Sequence, residues 1–422
     1  MRLEPRLVAL LACLAATMTD AAPSRPGAEH VPGIERLAGA ARPAGTMRPA
    51  GAVRLPGAEL RPVGYAALDG WAADAHAAAF AAFRRSCAAV ATDGVAGGLL
   101  KDAVAADLAA ACRRAEALGP DPDDDASRRF FEEAFVPWRV APEAGRGFVT
   151  AYFEPEIDGA LAPSAEFSAP LYAPPADLVS FAGVPPEGAP AGITAAQRTS
   201  AGLRPYPTRA EIDSGLLDGR GLEIVWLKSP IDAFIAHVQG SAHVRLAEGG
   251  TLRLSYAAKN GQPYTSIGRV LIERGEIPRE AMTLARLTAW LETHPREAAQ
   301  VMHRNKSYVF FEVNQDLDPA LGPRGAQGVQ LTAGRSAAVD KALHAYGLPV
   351  WVDARLPSAP GAAEVPFRRL MIAQDTGTAI VGPARLDLFL GSGEAAGRLA
   401  GEIRHEADVV LLLPRPGLAA EP

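Results

Sequence analysis

Apolar positions along this chain follow two successive periods. From Trp71 to Phe135 they recur at helical spacing: the Ala-rich segments Asp74–Val90 and Leu100–Leu118 predict helices. The acidic break Asp121–Asp125 comes before a third helix over Ser127–Phe135. The period then falls to two. Gly147–Phe153 reads as a strand ended by Glu154-Pro155, Glu223–Leu227 as another, and Val244–Tyr256 as a hairpin about a Glu248-Gly249-Gly250 turn. A helix is expected over Ala281–Leu291, with Leu284, Leu287 and Leu291 on one stripe, and a second opening at Pro295. Short strands follow at Tyr308–Val313, Pro349–Asp353, Arg368–Gln374, Ala379–Val381, Leu386–Leu390 and Val409–Leu413. Many short strands with few helices between them predict a mainly β chain with a helical N-terminal part, closed as a β-barrel and not as a doubly wound sheet.

Three stretches lack either period. The Pro-heavy segment Ala160–Pro207 reads as a long loop with one or two edge strands such as Phe167–Tyr172. Residues 23 to 62 carry the near-repeats Arg42-Pro-Ala-Gly45 and Arg48-Pro-Ala-Gly51, then Arg54-Leu-Pro-Gly57, and read as a semi-extended tether. Residues 1–22 read as an export signal: Arg2 and Arg6 flank the n-region, and the apolar run Leu7–Ala16 is too short to span a bilayer. Two processing readings stay open. Leu10-Leu-Ala-Cys13 fits a lipoprotein box, with Cys13 acylated and the chain anchored at the outer membrane; cleavage near Ala21-Ala22 would release a soluble periplasmic protein.

The chain of 422 residues is long enough for two or three domains, and 48% hydrophobic with 21% charged residues marks it as globular. A net charge of −6 with no block of Lys or Arg excludes nucleic acid as a partner class, while 41 Gly and 36 Pro favour a loop-rich fold. In an exported compartment Cys87 and Cys112 predict a disulfide worth on the order of 3 kcal/mol in the chain-entropy model, with two buried thiols as the alternative. No Cys-x-x-Cys or His-x-x-x-His occurs, so no metal or other cofactor is expected, and His237 and His243 read as structural.

The segment Asp375–Gly391 holds the most pointed chemistry. Asp387 follows Asp375 by twelve residues and is flanked by Leu386, Leu388, Phe389 and Leu390. Desolvation among such neighbours raises a carboxyl pKa toward the range useful for proton transfer; the plainer reading is the solvent-facing member of an alternating strand. Four further segments, Tyr152–Pro155, Val238–Ala242, Lys259–Ser266 and Asn305–Phe311, combine aromatic and amide groups. Such groups can stack on and hydrogen-bond sugars, or simply make turns.

Six segments in order, Gly147–Glu156, Tyr206–Arg209, Asp232–Ser241, Asn260–Arg269, Asn305–Phe311 and Asp375–Gly382, resemble the membrane-bound lytic murein transglycosylase A family, which ends in a three-aspartate domain. The likeness covers residues 65 to 414. It implies a double-psi β-barrel domain from residues 63–157 and 316–415, a second small β-barrel domain inserted over 158–315, and a groove between them for a glycan strand. It also implies catalysis by Asp387 as acid then base, with Asp375 in support. Tyr152, Gln239, Asn260, Tyr264, Thr265, Ser266 and Asp353 are the expected substrate-binding residues. Two departures stand out: Thr378 where a second Gly is usual, and Val381 where a Lys is usual.

The implied reaction cleaves the β-1,4 bond between N-acetylmuramic acid and N-acetylglucosamine in peptidoglycan, the sugar's own 6-hydroxyl closing a 1,6-anhydro ring. One carboxyl suffices for that cycle. The competing readings are a hydrolase using water with Glu154 or Asp353 as second carboxylate, and a non-catalytic scaffold that binds peptidoglycan. The implied enzyme is a monomer, with the cell-wall synthesis machinery as an open partner class.

Overall fold

The computed structural model describes residues 53–181, 185–315 and 317–420. The predicted signal, Cys13 and most of the predicted tether lie outside them. Two compact units emerge. One takes in Tyr152–Pro323 and Gly391–Glu402; the other takes in the described residues up to Ala151, then Arg324–Leu390 and Ile403 onward.

In the second of these units, six strands pair in a ring. The order runs Arg404–Pro414, Pro349–Pro357, Glu364–Asp375, Ser336–Val339, Arg385–Ser392 and Gly147–Glu154, which pairs back onto Arg404–Pro414. The ring leaves no free edge among these strands, which is what the run of short apolar segments demands. Three helices precede it. His76–Asp93 and Lys101–Leu118 fall where the alanine pattern puts them, and they carry the Cys87–Cys112 disulfide with Cα atoms 5.1 Å apart. The third helix, Asp124–Ala134, starts three residues earlier than its apolar period suggests, because the Asp123 carboxylate accepts from Ala126 N–H at 2.7 Å and caps it. Phe80, Phe83, Phe130, Phe131 and Phe135 pack edge-to-face or tilted between these helices, with centroids 5.0–6.4 Å apart.

Several expectations in this unit need correction. The tether does not extend to residue 62: Val53–Leu55 and Ala58–Pro62 form a hairpin about Gly57, and the second strand pairs with Phe135–Pro142. Leu60 and Ala58 are buried there, so the apolar residues between the prolines had a partner surface that local composition does not reveal. Ala379–Val381 is a turn and no strand; Ile380 N–H bonds back to Gly377 O at 3.0 Å. Gly377 on one side and Gly382-Pro383 on the other interrupt any strand here. The ring strand Ser336–Val339 went unpredicted because its small residues carry little β signal.

The other unit holds a six-stranded sheet in the order Val309–Asn314, Thr251–Lys259, Ser241–Leu246, Glu156–Ala160, Glu223–Leu227, Ala169–Tyr172. Among the described residues no backbone ladder joins the first and last strands of this order. The predicted hairpin is present, with Arg245 opposite Thr251 across the turn. Within the Pro-heavy stretch, Leu178–Ser180, Ala195–Thr199 and Gly202–Pro205 form a separate three-stranded sheet. Helix Pro230–Gln239 ends at Gly240, whose φ of 77° is the left-handed conformation glycine adopts without strain. Helix Leu284–Thr293 begins after the Thr283 cap, three residues later than its apolar stripe predicts. Among the described residues no helix is long and apolar enough to cross a membrane.

Candidate active site

Asp387 is 7% exposed on strand Arg385–Ser392, and Leu386, Leu388 and Phe389 beside it are buried as well. Both faces of the strand are covered, so the reading of Asp387 as a solvent-facing alternate position fails. The Thr150 hydroxyl donates to Asp387 Oδ1. Thr150 is itself buried and accepts from Arg385 Nη2 at 2.6 Å. Arg385 is 7% exposed, with Nη1 on the Leu386 carbonyl and its guanidinium 5.6 Å from the Phe148 ring. Sequence reading missed both Thr150 and Arg385; Thr150 lies 237 residues from Asp387, a separation at which no local pattern speaks.

Asp375 ends strand Glu364–Asp375, and its Oδ1 accepts from the N–H groups of Ala326 and Thr376 at 2.9 and 2.8 Å. The loop between Asp375 and Asp387 is tied down from below. Asp340 accepts from Gly382 N–H at 2.7 Å, Thr376 Oγ1 donates to Val339 O at 2.9 Å, and His344 Nε2 donates to Pro383 O at 2.9 Å. Burial holds the His344 imidazole neutral, pushing its pKa down to about 4. Burial, and then the Asp375 charge, raise the neighbouring Tyr346 phenol well above its ordinary value. Val381 in this loop is 71% exposed.

Asp353 does not join this arrangement. It is in register with Arg368, seven residues before Asp375 on the same strand, hence about 23 Å away along the strand. Both its oxygens lie 3.2 Å from Arg368 Nε.

In the unit that holds the six-stranded sheet, Glu154 is fully buried and ion-paired to Arg253, whose Nε lies 3.2 Å from Oε1. Ser392 Oγ donates to Glu154 Oε2 at 2.6 Å, and Arg253 Nη1 is also held by Leu321 O at 2.7 Å. Asn260 is fully buried with every polar position engaged: Nδ2 donates to Pro207 O and Lys306 O, while Oδ1 accepts from Tyr308 N–H and Gln262 N–H. Ser266 caps helix Ile267–Glu273 by accepting from Arg269 N–H at 3.3 Å. Both side chains bond to backbone groups, which is what amide and hydroxyl groups in turns do first. Thr265 donates its N–H to Asn305 Oδ1 at 3.1 Å, and Gln239 Oε1 accepts from Phe153 N–H at 3.4 Å. Tyr152 and Tyr264 are half-buried. Among the described residues no cluster of His, Cys, Asp and Glu is suited to a metal ion.

Residues 148–312 match the MltA specific insert domain, and residues 335–413 match the 3D domain. A membrane-bound lytic murein transglycosylase A from Vibrio cholerae is 34% identical over 62% of this chain; the match spans 64% of that relative's length. A solved membrane-bound lytic murein transglycosylase from Agrobacterium tumefaciens is 38% identical, with a TM-score of 0.76, covering 84% of this chain and 98% of that one. The structure of E. coli MltA with bound chitohexaose is 28% identical, with a TM-score of 0.53, over 72% of this chain and 82% of that one. Both domain families in order, and 38% identity across nearly the whole length of a solved relative, establish that this chain belongs to the membrane-bound lytic murein transglycosylase A family.

Proposed function

We infer that this chain is an exported lytic transglycosylase that cleaves peptidoglycan glycan strands without water, using Asp387 alone as acid and base. The observation that carries the reading is the state of the other candidate carboxylates. Glu154 is committed to Arg253 and Ser392, Asp353 to Arg368, and Asp375 accepts from two backbone N–H groups. A water-using glycosidase needs a second carboxyl as nucleophile or base. An intramolecular attack does not.

In the proposed cycle, protonated Asp387 gives its proton to the glycosidic oxygen as the bond from C1 of N-acetylmuramic acid breaks. Positive character develops at C1, and the 6-hydroxyl oxygen of the same sugar bonds to it. The 6-hydroxyl proton passes to the Asp387 carboxylate, which restores the acid. The products are a chain end with free N-acetylglucosamine 4-hydroxyl and a 1,6-anhydro-N-acetylmuramic acid end. Holding the sugar with its 6-hydroxyl near C1 replaces a bimolecular step with an internal one. The glycan oligomer bound to the E. coli relative supports a sugar chain as ligand. The barrel is read as double-psi, with the MltA-specific segment inserted into it, and the peptidoglycan layer is read as the place of action.

Digestion of purified murein in heavy-oxygen water tests the proposal. Anhydro ends without incorporated label are expected; reducing N-acetylmuramic acid ends that carry the label would replace this reading with the hydrolase.

A further inference from the structure

Asp387 has two carboxyl oxygens, and only one of them can present the acidic proton at a time. Arg385 and Asp387 are two residues apart on one strand, so their side chains leave the same face with Cα atoms about 7 Å apart. Between them stands the Thr150 hydroxyl, accepting from Arg385 Nη2 and donating to Asp387 Oδ1. A hydroxyl that already accepts from a cation is a stronger donor and a weaker acceptor. Its single hydrogen is thereby directed to Oδ1. With Oδ1 accepting, the acidic proton of Asp387 belongs on Oδ2.

Arg385 is an unusual residue to bury here. Its relative exposure is 7%, its two terminal nitrogens are taken by Thr150 and the Leu386 carbonyl, and Nε has no hydrogen-bond partner. The loop just before it offers no other cation, since position 381 is a solvent-exposed valine.

We propose that Arg385 is a positioning residue for the glycan-cleaving acid: through Thr150 it fixes the donor sense of the hydroxyl and so keeps the proton of Asp387 on Oδ2. This rests on Asp387 being the acid/base. Arg385 touches no reacting atom in this scheme and acts only through Thr150.

The test measures kcat and KM on soluble glycan strands for full-length Arg385→Met, Arg385→Gln, Arg385→Lys and Thr150→Val proteins and the Arg385→Met/Thr150→Val double variant, with melting curves as fold control. Arg385→Met and Arg385→Gln should each lose about 10- to 100-fold in kcat with KM within about twofold. Arg385→Lys, which keeps a charged donor, should recover most of that loss. The double variant should be no worse than the weaker single one, because both break one chain of hydrogen bonds. Wild-type kcat in either folded neutral variant, or losses that multiply in the double variant, would overturn the proposal. Asp387→Asn, run alongside, separates the two claims. If it is inactive while the neutral Arg385 variants are fully active, only the Arg385 role falls; if it is fully active, the acid/base assignment itself falls.

Discussion

Asp375 and Asp387 are both in register with Ala338, one on each side of the short strand Ser336–Val339. Two strand spacings separate their backbones, about 10 Å. The sequence resemblance pairs these aspartates as catalyst and support. Asp375 binds the backbone N–H groups of Ala326 and Thr376 where the loop leaves the barrel wall. Asp375→Asn keeps the Oδ1 acceptor, so activity should stay within about tenfold of wild type, whereas Asp375→Ala should lose far more. Kinetics on murein glycan for the two variants compare them; equal and complete loss in both would give Asp375 a role that needs its charge.

Asn260 sits in one of the four segments that combine aromatic and amide groups, yet its four hydrogen bonds all go to backbone groups. Asn260→Ala leaves those groups buried and unsatisfied, and should cost about 2–4 kcal/mol of stability. Urea unfolding measures this. A variant of unchanged stability and weakened glycan binding would return Asn260 to the substrate site.

The Glu154–Arg253 pair separates two chemistries. Arg253→Met strands a fully buried carboxylate and should destabilise the protein by about 3–5 kcal/mol, read from the denaturation midpoint. Glu154→Gln should still give anhydro products from murein. A folded, inactive Glu154→Gln protein would favour the two-carboxylate hydrolase instead.

Much of this arrangement was written locally. The helices at 76–118 follow their alanine spacing, the 244–256 hairpin follows its alternation about two glycines, and Asp387 drew notice through its leucine neighbours. What stayed illegible depends on distant chain. Thr150 meets Asp387 only because Gly147–Glu154 and Arg385–Ser392 are adjacent in the ring. Ser336–Val339 is strand by virtue of its neighbours on both sides, its own residues being small. Asn260 and Ser266 carry sugar-binding chemistry in principle, and only their bonding partners reveal that the backbone already uses it.

His344 makes stability depend on pH. Its folded pKa of about 4 lies below the ordinary 6.5, so the unfolded chain binds a proton that the folded chain refuses. Its contribution is complete above pH 6.5 and is lost as pH falls toward 4, amounting to about 3 kcal/mol. Burial lowers His237 as well, in the same sense. Melting temperatures of wild type should therefore drop between about pH 7 and about pH 4.5, and His344→Gln should flatten that slope. Parallel slopes for the two proteins would show that His344 takes up its proton as readily in the folded chain as in the unfolded one.

The central claim is that one buried carboxyl, Asp387, performs both proton transfers. Mass spectrometry of murein digested by wild type and by Asp387→Asn, with folding confirmed for both, tests it most directly. The account predicts 1,6-anhydro-N-acetylmuramic acid ends from wild type and undigested murein from the variant. Anhydro ends released by Asp387→Asn at the wild-type rate would contradict it.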